Sequence, residues 1–198
     1  INNKIDKGKL KLNIEFFLSK ENTLENFIAT GRVTDLEARL REELQLTETN
    51  FNFFADKTDI LIKNIFGKID LINISDGDLR IDLSEAISIN SNFLSDLKFQ
   101  GEFSEKYNKL FPNLKFFENE NYIDANLNNN LSVYFDKTYK IKEFDFNSVG
   151  KIKKIKLNVN QSLQNNYLNA EIKKIELNNT SVKFNLSPKK KITSFSGN

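Results

Sequence analysis

Lys9-Leu10-Lys11-Leu12-Asn13-Ile14-Glu15-Phe16 decides the fold class. Apolar residues stand at every second position, and Leu18 continues the series past Phe17. Successive side chains of a strand point to opposite faces, so this period makes one apolar and one polar face. Working outward, the same alternation returns nearly end to end. Phe27, Ala29, Gly31 and Val33 carry it, after which the apolar phase slips to Leu36, Ala38 and Leu40. That slip predicts a bulge or turn near Thr34-Asp35. Further strands are expected around Phe51-Phe53, Ile60-Ile62, Ile69-Leu71, Leu79-Ile81-Leu83, Leu97-Phe99, Leu131-Val133, Phe144-Phe146, Ile155-Leu157 and Val182-Phe184-Leu186. They make roughly a dozen strands in all.

Turn chemistry divides the run. Asp56-Lys57 reads as a tight turn. Asp76-Gly77 is the strongest hairpin signal, since Asp-Gly supplies the positive φ angles of a type I′ turn, with Leu79 to Leu83 as the return strand. Alternation stops over 104–121. Ser104 to Phe111 has the marks of a short helix, capped by Ser104 and stopped before Pro112, inside an irregular insert. Apart from one or two short helices of this kind, the chain reads as all-β.

A short motif recurs. Gly31-Arg32-Val33-Thr34-Asp35-Leu36-Glu37-Ala38, Gly67-Lys68-Ile69-Asp70-Leu71-Ile72-Asn73-Ile74 and Gly150-Lys151-Ile152-Lys153-Lys154-Ile155-Lys156-Leu157 share the form G-[K/R]-[I/V]-x-x-[I/L]-x-apolar. A degenerate copy runs from Ala170 to Leu177. Two matching turns, Phe54-Ala55-Asp56-Lys57-Thr58 and Tyr134-Phe135-Asp136-Lys137-Thr138, strengthen the repeat. The spacing is uneven, so this is a loose β repeat within one segment, 1–198, rather than a strict solenoid.

Composition narrows the function. The 198 residues are 39% hydrophobic and 28% charged, with a net charge of +2 from 29 basic and 27 acidic residues. The balance argues against nucleic acid as a partner. Lys189-Lys190-Lys191 reads as a solvated turn. No apolar run is long enough for a membrane-spanning helix, and the start has no signal-peptide h-region. Absence of Met, even at position 1, suggests a fragment or processed product. With no Cys, disulfides and thiolate metal sites are excluded, and with no His the commonest general base and zinc ligand are missing. Asp76, Asp78 and Asp82 cluster in sequence, but turn chemistry accounts for them. No enzyme activity, metal or cofactor is expected.

The apolar face must leave water, and almost no helix is available to cover it. A second sheet, closure into a barrel or an apolar ligand would each do so. On packing grounds alone, a closed β sandwich is favoured.

The motif G-K-I-x-x-I-x-I after an F-x-D-K-T turn, as in Phe54 to Ile74 and Phe135 to Leu157, resembles the AsmA-like family. More narrowly, it resembles the DUF3971 region of the large YhdP-type envelope proteins. Phe51 to Thr58 and Ile74 to Leu79 carry most of the likeness, which extends over about residues 5 to 195. That family is similar to the repeating-β-groove lipid-transfer proteins, whose long, curved antiparallel sheets conduct phospholipid acyl chains along an open apolar face. The resemblance implies transfer of phospholipid between bacterial inner and outer membranes. It also implies a periplasmic body and an inner-membrane anchor outside this segment. Under it, the groove would be lined by Leu10, Leu12, Ile14, Phe16, Phe51, Phe53, Ile60, Ile62, Ile69, Leu79, Ile81 and Leu83. The repeat glycines would bend the sheet. The alternative is a structural or interaction sandwich of an envelope protein that binds nothing.

Overall fold

A computed structural model of the chain describes residues 4–39, 44–84, 86–101, 121–164, 171–188 and 190–196. Ten strands form one antiparallel sheet in strict chain order. They are β1 (Lys4–Leu18), β2 (Leu24–Arg39), β3 (Gln45–Ala55), β4 (Asp59–Ile69), β5 (Ile72–Asp82), β6 (Ser88–Gly101), β7 (Asn121–Phe135), β8 (Ile141–Gln164), β9 (Glu171–Ser187) and β10 (Lys190–Ser196). Each strand pairs only with its sequence neighbours, so among the described residues β1 and β10 are the two edge strands and the sheet does not close on itself. The expected all-β meander is therefore correct, and the closed sandwich is not. The expected insert over 104–121 lies outside the described residues, except Asn121, which begins β7.

The sheet curls toward one face. Among the described residues, the buried ones include Ala29, Ala38, Thr49, Ser95, Phe99, Ala125, Asn129, Ser148, Ile152 and Thr180. Directly paired residues share a face, and the register puts all of these on the same one. A flat single sheet would leave both faces wet. Burial confined to one face makes that face concave.

Bulges supply the bend. Asp35, Glu48 and Asn64 sit at φ 52°, 50° and 54°, each at or next to an irregular step in β2, β3 or β4. Asn179 in β9, at φ 48°, lies beside the irregular step that β8 makes at Lys153. An extra residue in one strand turns it and increases its twist. It also flips the alternation, which is why the apolar series changes from Val33 to Leu36. The slip expected at Thr34-Asp35 is this bulge.

The recurring motif has two structural meanings. In Gly31 to Ala38, the three-residue step from Val33 to Leu36 spans the Asp35 bulge. In Gly150 to Leu157, the step from Ile152 to Ile155 spans a register shift at Lys153-Lys154. In Gly67 to Ile74, however, Ile69 pairs with Ile72, and Asp70-Leu71 is a two-residue hairpin loop with Asp70 at φ 52°.

That loop corrects the Asp76-Gly77 reading. Asp76 and Gly77 lie inside β5, and Gly77 is buried without a positive φ. Its glycine answers a different need. A Cβ there would come within 3.2 Å of the Phe93 Cβ and 3.3 Å of the Ile65 Cβ. The turn expected at Asp56-Lys57 is present. There the Asp56 carboxylate accepts from the Thr58 and Asp59 amides and the Thr58 hydroxyl at 2.7, 2.8 and 2.9 Å. Asp136 repeats the arrangement with the Thr138 and Lys140 amides and the Thr138 hydroxyl.

Candidate functional site: an apolar trough

Rows of apolar side chains cross the concave face at right angles to the strands. One row runs Ile14, Ala29, Ala55, Ile60, Ile81, Ile89, Val133, Phe144 from β1 to β8. The next runs Leu12, Gly31, Phe53, Ile62, Leu79, Ser91, Leu131, Phe146, Leu186. Beyond the bulges a third runs Ala38, Leu46, Ile69, Ile72, Leu97, Ala125, Ile152. The longest row crosses nine strands, which at about 4.8 Å spacing gives a trough about 38 Å long across the strands.

The structure brings the sequence-chosen residues to this one face. Leu10 pairs with Val33, which pairs with Phe51, and Phe16 pairs with Phe27. Leu12, Ile14, Phe53, Ile60, Ile62, Ile69, Leu79 and Ile81 stand in the rows above. Leu83 follows just past β5, in phase with Ile81 and partly exposed. The sequence-chosen set ends at residue 83, although the face continues through β6 to β9 with Ile89, Phe93, Leu97, Leu131, Val133, Phe144 and Phe146. The same alternation marks them in the sequence. Phe146 and Phe184 meet edge to face at 6.0 Å.

Glycines and small residues occupy the inside of the curl. A Cβ on Gly31 would collide with the Lys11 carbonyl and the Phe53 ring. One on Gly67 would strike Thr49, and one on Gly150 the Asn126 carbonyl. The repeat glycines thus permit close approach of neighbouring strands and side chains.

A polar belt crosses the middle of the trough, and sequence reading missed it. Asn129 is 3% exposed and Ser95 5%. The Asn129 amide donates to the Ser95 hydroxyl at 2.8 Å and to the Phe93 carbonyl at 3.2 Å. Thr49 and Thr180, each just after a residue in the left-handed region, donate to the carbonyls of Thr47 and Asn178. Ser148, 4% exposed, has a buried hydroxyl without a partner among the described residues. The sequence marks of this belt are Ser and Asn interrupting an otherwise apolar series.

The convex face carries the charge. Lys63 and Asp78 meet at 3.0 Å, Arg80 and Asp59 at 2.8 Å, and Arg39 and Asp6 at 3.3 Å. Such surface pairs add little stability individually. Asp78 also accepts from the Asn64 amide at 3.2 Å, fixing the β4 bulge. Its carboxyl is held below the ordinary range, chiefly by the Lys63 hydrogen bond. The carboxyls of Asp56 and Asp136 are lowered by their turn donors, and that of Asp82 by Ser84. These groups are occupied in structure. Among the described residues, no three acidic side chains are grouped to hold a metal ion, and no helix is long and apolar enough to cross a membrane.

Compared with known proteins, the chain matches no family model, no curated protein and no solved structure.

Proposed function

We propose that the trough holds the acyl chains of phospholipids and, within a larger envelope protein, passes them between the inner and outer membranes. The observation that carries this reading is a single open sheet whose concave face carries apolar rows on both sides of the polar belt, with no second layer among the described residues. Shielding that face would gain about 25 cal/mol per Å² of apolar area, with no chemistry required. The AsmA-like motifs add the cell-envelope setting: a periplasmic body, with the membrane reached through an anchor outside this segment. In this reading the protein is not an enzyme, uses no cofactor and takes no nucleic acid.

One observation favours a second reading, a structural module that binds nothing. At the centre of the trough Ala125 and Ile152 are each 4% exposed, so the curl already buries them. Native mass spectrometry of the purified chain separates the two. Lipid adducts that disappear in Ile62→Asp, with the fold intact by circular dichroism, support lipid carriage. Adduct-free protein after expression and reconstitution with phospholipid favours the structural module.

A further inference from the structure

We propose that the tip of the β7–β8 hairpin, Asp136 to Lys142, docks on the surface of an anionic phospholipid bilayer, with the Tyr139 ring seated among the headgroups. The docking stands whether or not the trough carries lipid. β7 and β8 lie inside the sheet, between β6 and β9, so the tip is no part of a sheet edge.

Tyr139 is ill-suited to its backbone. It sits at φ 61°, in the left-handed region, where Gly, Asn and Asp are at ease and a bulky side chain is strained. The β1–β2 loop makes the same turn with an ordinary choice. There Asn22 is at φ 60°, its amide donates to the Ser19 carbonyl at 3.0 Å, and the Ser19 amide donates to the Thr23 carbonyl at 2.8 Å. In the β7–β8 loop the Tyr139 amide donates to the Asp136 carbonyl at 3.0 Å, and the Asp136 amide to the Lys140 carbonyl at 2.9 Å. The matching Asp56-Lys57-Thr58 turn closes one residue earlier, on the Asp59 carbonyl, with no residue at positive φ. Neither the repeat nor the loop therefore requires a tyrosine. Packing does not explain it either, since Tyr139 is 75% exposed. A strained residue that packs against so little points to a role outside the fold.

The surroundings say what that role is. Residues 136–143 are all exposed. Lys137, Lys140 and Lys142 flank the ring, and none of them has an ion-pair partner among the described residues. Of the two acids nearby, Asp136 is bound by the Thr138 and Lys140 amides and the Thr138 hydroxyl of its own turn. Glu143 stands opposite Tyr134, on the convex face. Ile141 is 61% exposed, and the ring borders a hollow of about 390 Å³ that Leu83, Ala86 and Ile87 of the β5–β6 loop also line.

An amphipathic ring beside apolar residues and within a set of lysines suits a bilayer surface. The ring settles at headgroup level and the ammonium groups meet the phosphates. A stable protein partner would bury about 800 Å² on each side, more than one ring, one isoleucine and the lip of a hollow supply. A net charge of only +2 over 198 residues gives little general attraction to anionic lipid, so the tip itself must provide it.

The chain has no tryptophan, so Tyr139→Trp turns the tip into its own probe. With vesicles of mixed phosphatidylcholine and phosphatidylglycerol, its emission should shift to the blue and be quenched by brominated lipid. Leu94→Trp, on the convex face of β6, should show neither effect. The unmodified chain should co-sediment with the same vesicles. Tyr139→Asn, which suits the φ and should keep or raise the urea midpoint, should lower the partition coefficient about fivefold. Lys137→Gln, Lys140→Gln and Lys142→Gln together should lower it about a hundredfold. A chain that does not bind these vesicles would overturn the proposal. So would binding that is equal on pure phosphatidylcholine, binding that ignores both sets of variants, or a tryptophan at 139 that stays in water while the chain sediments.

Discussion

Phe53 lies over Gly31 across the β2–β3 pair, so closely that a Cβ on the glycine would stand 2.6 Å from the ring. The contact is on the concave face, where curvature brings adjacent strands' side chains together. Gly31→Ala should therefore destabilise the sheet by about 1–3 kcal/mol through overpacking. Gly150→Ala should cost at least as much, because its Cβ would meet the Asn126 backbone, which cannot swing aside. Urea midpoints of the two variants check this.

The β4–β5 hairpin should depend on Asp70. Its φ of 52° suits Asp, Asn or Gly and penalises a branched side chain. Asp70→Asn, which suits the same φ and keeps an acceptor for the Gln45 amide, should be near neutral. Asp70→Val should lose about 1–2 kcal/mol, as read from the same urea midpoints. An equal effect from both would place the turn elsewhere.

The polar belt gives a contrast between two neighbours. Ser148→Ala removes a buried hydroxyl that has no partner among the described residues, and should leave stability unchanged or raise it by up to about 1 kcal/mol. Asn129→Ala strands the Ser95 hydroxyl and two carbonyls, and should cost about 1–3 kcal/mol. Thermal unfolding of the pair decides whether the belt is structural.

Acid should act through the Asx turns. Asp56 and Asp136 titrate below the ordinary 3.8 because turn amides and hydroxyls bind their ionised form. A carboxyl whose folded pKa is depressed stabilises above its unfolded pKa, and the stabilisation is lost as pH falls through the folded value. Stability should be flat near neutrality and decline below about pH 4. Asp56→Asn with Asp136→Asn should lower stability at pH 7 and flatten the decline, as read from denaturation midpoints across pH.

Much of the fold is legible in the sequence because period-2 alternation specifies a strand and its buried face directly. The Val33-to-Leu36 slip even locates a bulge. Asp76-Gly77 misleads because a local turn signal and a need for close approach both select glycine. Only the tertiary neighbours Phe93 and Ile65 distinguish them. The same ambiguity hides the Gly67 motif's real role, since Ile69-x-x-Ile72 fits a bulge and a two-residue loop equally. Ser95, Asn129 and Ser148 read as breaks in the apolar series, because nothing local shows that three strands bring them together.

Acyl-chain binding in the trough is the central claim, and site-specific photo-crosslinking tests it most directly. A photoreactive side chain at Phe53 or Ile62, on the concave face, is compared with one at Asn52 or Lys63, next in sequence but on the convex face. The chain is illuminated in the presence of phospholipid, and adducts are measured by mass. Strong lipid adducts from 53 and 62, with few from 52 and 63, are predicted. Equal adduct formation from the two faces, or none from either, would contradict lipid carriage by this sheet.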